Sequence, residues 1–183
     1  MLRNLYSGEE MTDKFSRWCG EHLVCAEALR QGLVATTFSG NMEVFDIITY
    51  YKDNKVYKKV QVKTTTRKYK KDETWVFGKA DEWLKFDEKL LSKNPKIQYI
   101  LGKQEREDKD IMFVFVLKGT KYGEDRFFIL TQPEVQDIVY NRYTGKCRDE
   151  YEGKKVLIRD HMRIFIHLFQ LEPHENKWEK LRK

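Results

Sequence analysis

At 183 residues the chain can bury a core within one domain without help from disulfides or a structural metal. Hydrophobic residues at 40% and aromatics at 14% exclude a disordered chain despite 35% charged residues, and a formal net charge of +6 favours an acidic partner such as nucleic acid. Cys19, Cys25 and Cys147 form no CxxC pair, so neither a disulfide framework nor a cysteine-rich zinc site is suggested and a reducing cytosol suits them.

Met1 to Asn4 is not followed by an apolar signal region, and the longest apolar run, Ile111 to Leu117, is far too short to cross a bilayer. A cytoplasmic protein with no membrane partner is the expectation. Thr12 is placed to cap a helix running to about Gln31, with Gly32 as its stop and Phe15, Cys19, His22, Leu23, Ala26 and Leu29 as its buried stripe. Leu33 to Phe38 then reads as a short strand, ended by the turn formers Ser39, Gly40 and Asn41.

Val44 to Tyr51 (VFDIITYY) is apolar on both alternating faces, as in a central strand covered on both sides, with Asp46 as its exception. Asp53-Asn54 supplies a turn, and Val56 to Thr64 returns as an antiparallel partner. From Thr65 to Asp72 the chain is basic and turn-like. The stretch through Asn94 is mixed, with Trp83, Leu84, Leu90 and Leu91 suggesting helix. Ile97 to Leu101, Ile111 to Leu117 and Arg126 to Leu130 are β-rich and would extend the sheet, the last two as a second hairpin. Thr131 before Glu134 predicts a capped helix from Pro133 to about Tyr140. The tail holds the apolar stretch RIFIHLF from Arg163 and then Glu172 to Leu181. With no internal repeat and no linker, residues 1–183 read as a single α/β domain.

Residues two apart in a strand point the same way, so Gln61 and Lys63 share one face while Val60 and Val62 pack on the other. Asp46 sits among Val44, Phe45, Ile47 and Ile48, where a buried carboxylate is costly unless a cation or hydrogen bonds compensate it. EVFD, fourteen intervening residues and then QVKTTT resembles the strand–turn–strand motif of the PD-(D/E)xK nucleases. Glu21, in GEHLVCAEALRQG, resembles the upstream helix glutamate of archaeal Holliday-junction resolvases. The likeness is specific over Gly20 to Thr66. Beyond it, TWVF, FVFV followed by RFFILT, and LEPHENKWEKL resemble an uncharacterised bacterial branch of these resolvase-like proteins.

The resemblance implies a restriction-endonuclease-like α/β core, with an N-terminal helix and a mixed central sheet flanked by helices. It implies hydrolysis of DNA phosphodiesters, including branched or junction DNA, with Mg²⁺ as cofactor and Mn²⁺ as a substitute. Asp46, Gln61 and Glu21 would serve the metal, and Lys63 would orient the nucleophile or stabilise the transition state. Phe45 replaces the motif's proline, which does not ligate. Gln61 replaces its second acid and brings an amide oxygen without charge, so metal should bind more weakly than at a two-carboxylate site. Thr65, Arg67, Lys68, Lys70 and Lys71 are candidate phosphate contacts, Thr64 and Thr66 stand beside the metal site as further donors, and Tyr69 and Trp75 would stack on unpaired bases.

His22, His161, His167 and His174 have no metal-ligand spacing, and no Gly-rich phosphate loop suggests a nucleotide cofactor. Resolvase-like members often work as dimers, which leaves a homodimer open. Two other functions remain: a nuclease fold that binds nucleic acid without cutting, for which Gln61 is the motive, and a protein-interaction module of a defence or repair complex.

Overall fold

The computed structural model describes residues 8–38, 45–66, 73–87, 97–121, 123–146, 150–151, 154–158 and 163–183. Helix α1 (Gly8–Arg30) leads into β1 (Val34–Thr37), β2 (Ile47–Tyr51) and β3 (Val56–Thr66). Strand β4 (Thr74–Lys79), a 3-10 turn (Ala80–Glu82) and β5 (Leu84–Phe86) follow, then β6 (Ile97–Lys103), β7 (Met112–Lys118) and β8 (Arg126–Thr131). Helix α2 (Gln132–Lys146) precedes β9 (Glu150–Tyr151), β10 (Lys154–Ile158), β11 (Arg163–His167) and the short α3 (Leu168–Leu171), and two 3-10 turns end the chain.

The main sheet has the order β1-β2-β3-β7-β8 and is mixed: β2 returns antiparallel to β3, while β7 lies parallel to β3 with Val60 opposite Met112 and Thr66 opposite Lys118. A sheet of order β5-β6-β10-β9 and the pair β11-β4 accompany it. An N-terminal helix beside a mixed sheet with further helices agrees with the restriction-endonuclease-like core expected from the sequence. Among the described residues no helix is long and apolar enough to cross a membrane.

The strand covered on both faces is β7, buried from Met112 to Leu117, rather than the segment around Asp46. Its alternation divides the core. Met112, Val114 and Val116 join Val24 and Ala28 of α1 with Val60 and Val62, whereas Phe113, Phe115 and Leu117 join Trp75, Phe77, Trp83 and Val135 on the opposite face. The tail completes the first cluster through Trp178 and Leu181.

Several expectations are corrected. Helix α1 begins at Gly8, so Thr12 lies inside it and is no cap. Its buried stripe is Gly20, Val24 and Ala28; Phe15 (55% exposed) and Leu29 (57%) face outward, with His22 and Ala26 also exposed and Cys19 and Leu23 half-buried. Small residues are selected because the helix lies so close to β3 that a Cβ on Gly20 would fall 1.8 Å from Thr64 Oγ1. Strand β2 starts at Ile47, after Asp46, and Val44 lies outside the described residues. Strand β3 takes in Thr65 and Thr66, which the sequence had suggested begin a loop. Trp83 and Leu84 are not helical: Leu84 opens β5, and Trp83 packs its ring edge-on against Phe77, 5.6 Å between centroids. Leu90 and Leu91 lie outside the described residues. Strand β6 belongs to the second sheet and does not extend the main one.

The second hairpin forms as β7 and β8. Helix α2 runs past Tyr140 to Lys146. Its predicted cap is present, with the Thr131 amide donating to Glu134 Oε2 at 2.8 Å and the Glu134 amide to Thr131 Oγ1 at 3.4 Å.

Candidate active site

The β2–β3 ladder ends at Ile47 opposite Val60, but β3 continues to Thr66 beside β7. Beyond Val60, therefore, none of the described residues continues the ladder on the β2 side of β3. Asp46 stands in this notch. Its amide donates to the Val60 carbonyl at 2.9 Å, and its Oδ2 accepts the Val62 amide at 2.7 Å. The half-buried carboxylate thus has a backbone hydrogen bond that offsets its partial desolvation, and the bond fixes where it sits.

Strand alternation arranges the remaining candidates around that edge. Val60 and Val62 turn toward α1, whereas Gln61 and Lys63 are half-buried on the face shared with Phe113 and Phe115, their register partners on β7. On the α1 side, Gly20 rests on Thr64, and Ser16 Oγ lies 3.3 Å from Thr66 Oγ1. Glu21 follows Gly20 and is half-buried, so it approaches from the helix side. Asp46, at the strand edge, lies between the two faces.

The electrostatics identify Asp46 as the group that links them. The Glu21 carboxyl is raised above the usual carboxylate range, by burial first and then by the Asp46 charge, with His22 and Arg17 opposing. The Lys63 ammonium is lowered, chiefly by burial and also by Arg17, while Asp46 and Glu82 act to raise it. A carboxylate and an ammonium from opposite faces of β3 therefore both sense one aspartate. Among the described residues no group of three His, Cys, Asp or Glu side chains is gathered closely enough to hold a metal. The protein's own donors here are the Asp46 and Glu21 carboxylates and the Gln61 amide.

No protein-family model matches the chain, and no curated protein matches it. Among solved structures, it is similar to a bacterial homing endonuclease, I-Ssp6803I. The TM-score is 0.47 at 12% identity, over 91% of this chain and 90% of that one.

Of the other residues singled out in the sequence, Thr65 is half-buried on the Lys63 side of β3. Arg67, Lys68, Lys70 and Lys71, with Tyr69, lie outside the described residues. Trp75 is corrected: only 2% exposed, it packs against Phe115 and Phe128, and its indole N–H donates to the Val116 carbonyl at 3.2 Å. It is a core residue with no free face for a base.

Two residues that sequence reasoning missed act on this site, Arg17 and Glu82. Arg17 carried a readable signal, since it stands four residues before Glu21 and helix neighbours at that spacing share a face. Glu82 carried none. It closes the 3-10 turn after β4, and its Oε2 lies so near Gly78 (φ +60°) that a Cβ there would come within 2.8 Å.

Proposed function

We propose that this chain is a divalent-metal-dependent endonuclease that hydrolyses DNA phosphodiester bonds, with branched or junction DNA among its substrates. The observation that carries the reading is the position of Asp46: its backbone amide is tied to the Val60 carbonyl and its carboxylate accepts the Val62 amide at the point where β2 leaves β3, within electrostatic reach of both Glu21 and Lys63. A carboxylate pair that repels and an ammonium on the other side make a donor set that suits a cation and a phosphate together.

The donors fit Mg²⁺, which binds through one or two protein carboxylates and keeps water and phosphate oxygens for its other positions. Asp46 and the Gln61 amide oxygen would hold it, with Glu21 as a further or water-mediated ligand. When bound, the metal supplies an acidified water and charge stabilisation at the phosphate. Lys63, a donor with no acceptor capacity, orients the nucleophile or neutralises charge developing on the phosphoryl oxygens. Asp46 keeps its position because the Val62 amide restrains one of its oxygens. Thr65 contributes a hydroxyl beside the phosphate path.

Wild type, Lys63→Ala and Asp46→Asn would be compared with Mg²⁺ or Mn²⁺ on duplex, single-stranded and branched DNA. The expected result is cutting by wild type and a loss of about 10²-fold or more in either variant, the scale of removing one preorganised electrostatic group. If all three bind DNA and none cuts, a nuclease fold with Gln61 in place of the second acid acts as a binding module, and the endonuclease reading is overturned.

A further inference from the structure

The face of the main sheet opposite α1 is covered only in part. Over β7, Phe113 and Phe115 pack with Trp75, Phe77 and Trp83, but no residue of β1, β2 or β3 belongs to that cluster among the described residues. On the first three strands this face carries large side chains left open: Val34 is 56% exposed and Tyr57 68%. Register sets Val34 beside Tyr50 and Tyr50 beside Tyr57, so the three form a row across the strands. An antiparallel sheet ordinarily turns polar residues toward water, and an open apolar and aromatic row marks a surface for a partner.

The two tyrosines are set for stacking. Their ring centroids lie 4.5 Å apart and the planes are 30° from parallel. Tyr50 is half-buried and supports one side of the exposed Tyr57 ring. On the other side of β3, the pairing with β7 begins only at Val60, so among the described residues no strand flanks Tyr57 there. One ring face is braced, and the other is open to a flat partner.

The charge around the row selects the partner's chemistry. Residues 50–59, which carry both tyrosines, hold Lys52, Lys55, Lys58 and Lys59 against a single acid, Asp53. That carboxylate already accepts the Tyr51 hydroxyl at 2.6 Å. Lys59 shares the Tyr57 face, and its ammonium lies 5.8 Å from the ring of Phe45, the residue before Asp46. Alternation carries the row onward along β3, because Tyr57, Lys59, Gln61 and Lys63 point the same way, with Gln61 about 13 Å from Tyr57 along the strand. A second copy of the chain, seated here by symmetry, would set these lysines against their own counterparts. An unpaired nucleic acid strand brings negative charge and flat rings together, whereas a duplex keeps its bases stacked inside and offers them no free face.

We propose that this face is a stacking platform for an unpaired segment of the nucleic acid substrate, with a base on the Tyr57 ring and the backbone led past Lys59 toward the Asp46 notch. It rests on the nuclease reading for where the strand leads, and not for the stacking itself.

The test is binding without metal, so that nothing is cut. An oligothymidylate and an abasic strand of equal length carry the same phosphates, and the affinity of the full chain for each is measured by fluorescence anisotropy in EDTA. Wild type should prefer the oligothymidylate by about tenfold, the scale of one base–aromatic stack. Tyr57→Leu should lower that affinity to the abasic level, and Tyr57→Trp should keep the preference; the exposed position leaves the core intact in both. Equal affinity of wild type for the two strands, or a preference that survives in Tyr57→Leu, overturns the platform. So does a dimer in sedimentation that Tyr57→Leu dissolves, which assigns the face to a second copy. Cleavage scored separately keeps the two readings apart. Tyr57-dependent base binding without cutting supports the platform and sinks the endonuclease, and cutting with no Tyr57-dependent preference does the reverse.

Discussion

Gly20 owes its identity to a neighbouring strand. A Cβ at this position would lie 1.8 Å from Thr64 Oγ1 and 2.9 Å from Thr64 Cβ, distances that no minor adjustment of so short a side chain accommodates. The helix turn that carries Glu21 is therefore set against β3 by the absence of a side chain. Gly20→Ala should destabilise by about 1–3 kcal/mol, as overpacking of a close contact does, even though alanine is the better helix former. Thr64 Oγ1 is buried without a hydrogen-bond partner among the described residues, so Thr64→Ala alone should cost less, about 1 kcal/mol or under. Urea unfolding of both single variants and the double variant checks this: the double should regain more than half of the Gly20→Ala loss. A purely additive cycle would show that the two positions do not collide.

Among the elements, the tail after α3 is tied to the main sheet by charge as well as by Trp178 and Leu181. Arg126 forms a two-point pair with Glu175, both contacts at 2.7 Å, and Lys180 reaches both Glu134 oxygens at 2.7 Å and His174 Nδ1 at 3.2 Å. The Arg126 hydrogen bond holds Glu175 below the usual carboxylate range. For Glu134, burial pulls upward but is outweighed by hydrogen bonds from Lys180 and Thr131. His174 is lowered, by burial first and then by Lys180. An imidazole that resists protonation only in the folded chain loses stability for the fold as pH drops below its unfolded value, about 6.5. The depressed carboxylates act lower: their contribution is complete above about pH 4.3 and is lost as pH falls through their folded values. Unfolding free energy should thus decline in two stages on acidification. His174→Gln should remove the first stage. Glu175→Gln should cost about 0.5–1 kcal/mol at neutral pH and shrink the second. A wild-type curve that falls no more steeply between pH 7 and 5 than that of His174→Gln would refute the role given to His174.

How far these elements were legible depended on the range of the forces that set them. Runs of β-forming residues exposed β7 and β8, and period-2 alternation along β3 aligned Gln61 with Lys63, because both signals are local. The Thr131–Glu134 cap was equally local. The buried face of α1 was misread since apolar side chains mark a stripe only where the partner surface is distant enough to admit them; here contact with β3 selected Gly20 and Ala28 and turned Phe15 and Leu29 outward. Trp75 was misassigned for a related reason: an aromatic beside a basic segment has the composition of a stacking platform, and only the pairing of β4 with β11 and the packing on β7 show that it is enclosed. Glu82 was invisible because the fold brings it to Lys63 from a distant turn.

At the scale of the whole molecule, a formal net charge of +6 is the balance of 35 basic and 29 acidic residues, so the basic excess is small beside the total charge. What distinguishes nucleic-acid binding from a basic surface used for protein contact is the release of condensed counterions, which depends on how many phosphates are neutralised together. On the proposed function, Arg17 on α1, Lys63 at the notch, and Arg67, Lys68, Lys70 and Lys71 in the sequence after β3 supply about four to six such contacts. The logarithm of affinity for a DNA duplex should then fall linearly with the logarithm of salt, with a slope of about −4 to −5. Between 50 and 200 mM salt that is a loss of roughly 10²- to 10³-fold, measurable by fluorescence anisotropy with Ca²⁺ in place of Mg²⁺ to suppress cutting. A flat response would remove nucleic acid as the partner and leave a protein-interaction module as the reading that the charge distribution supports.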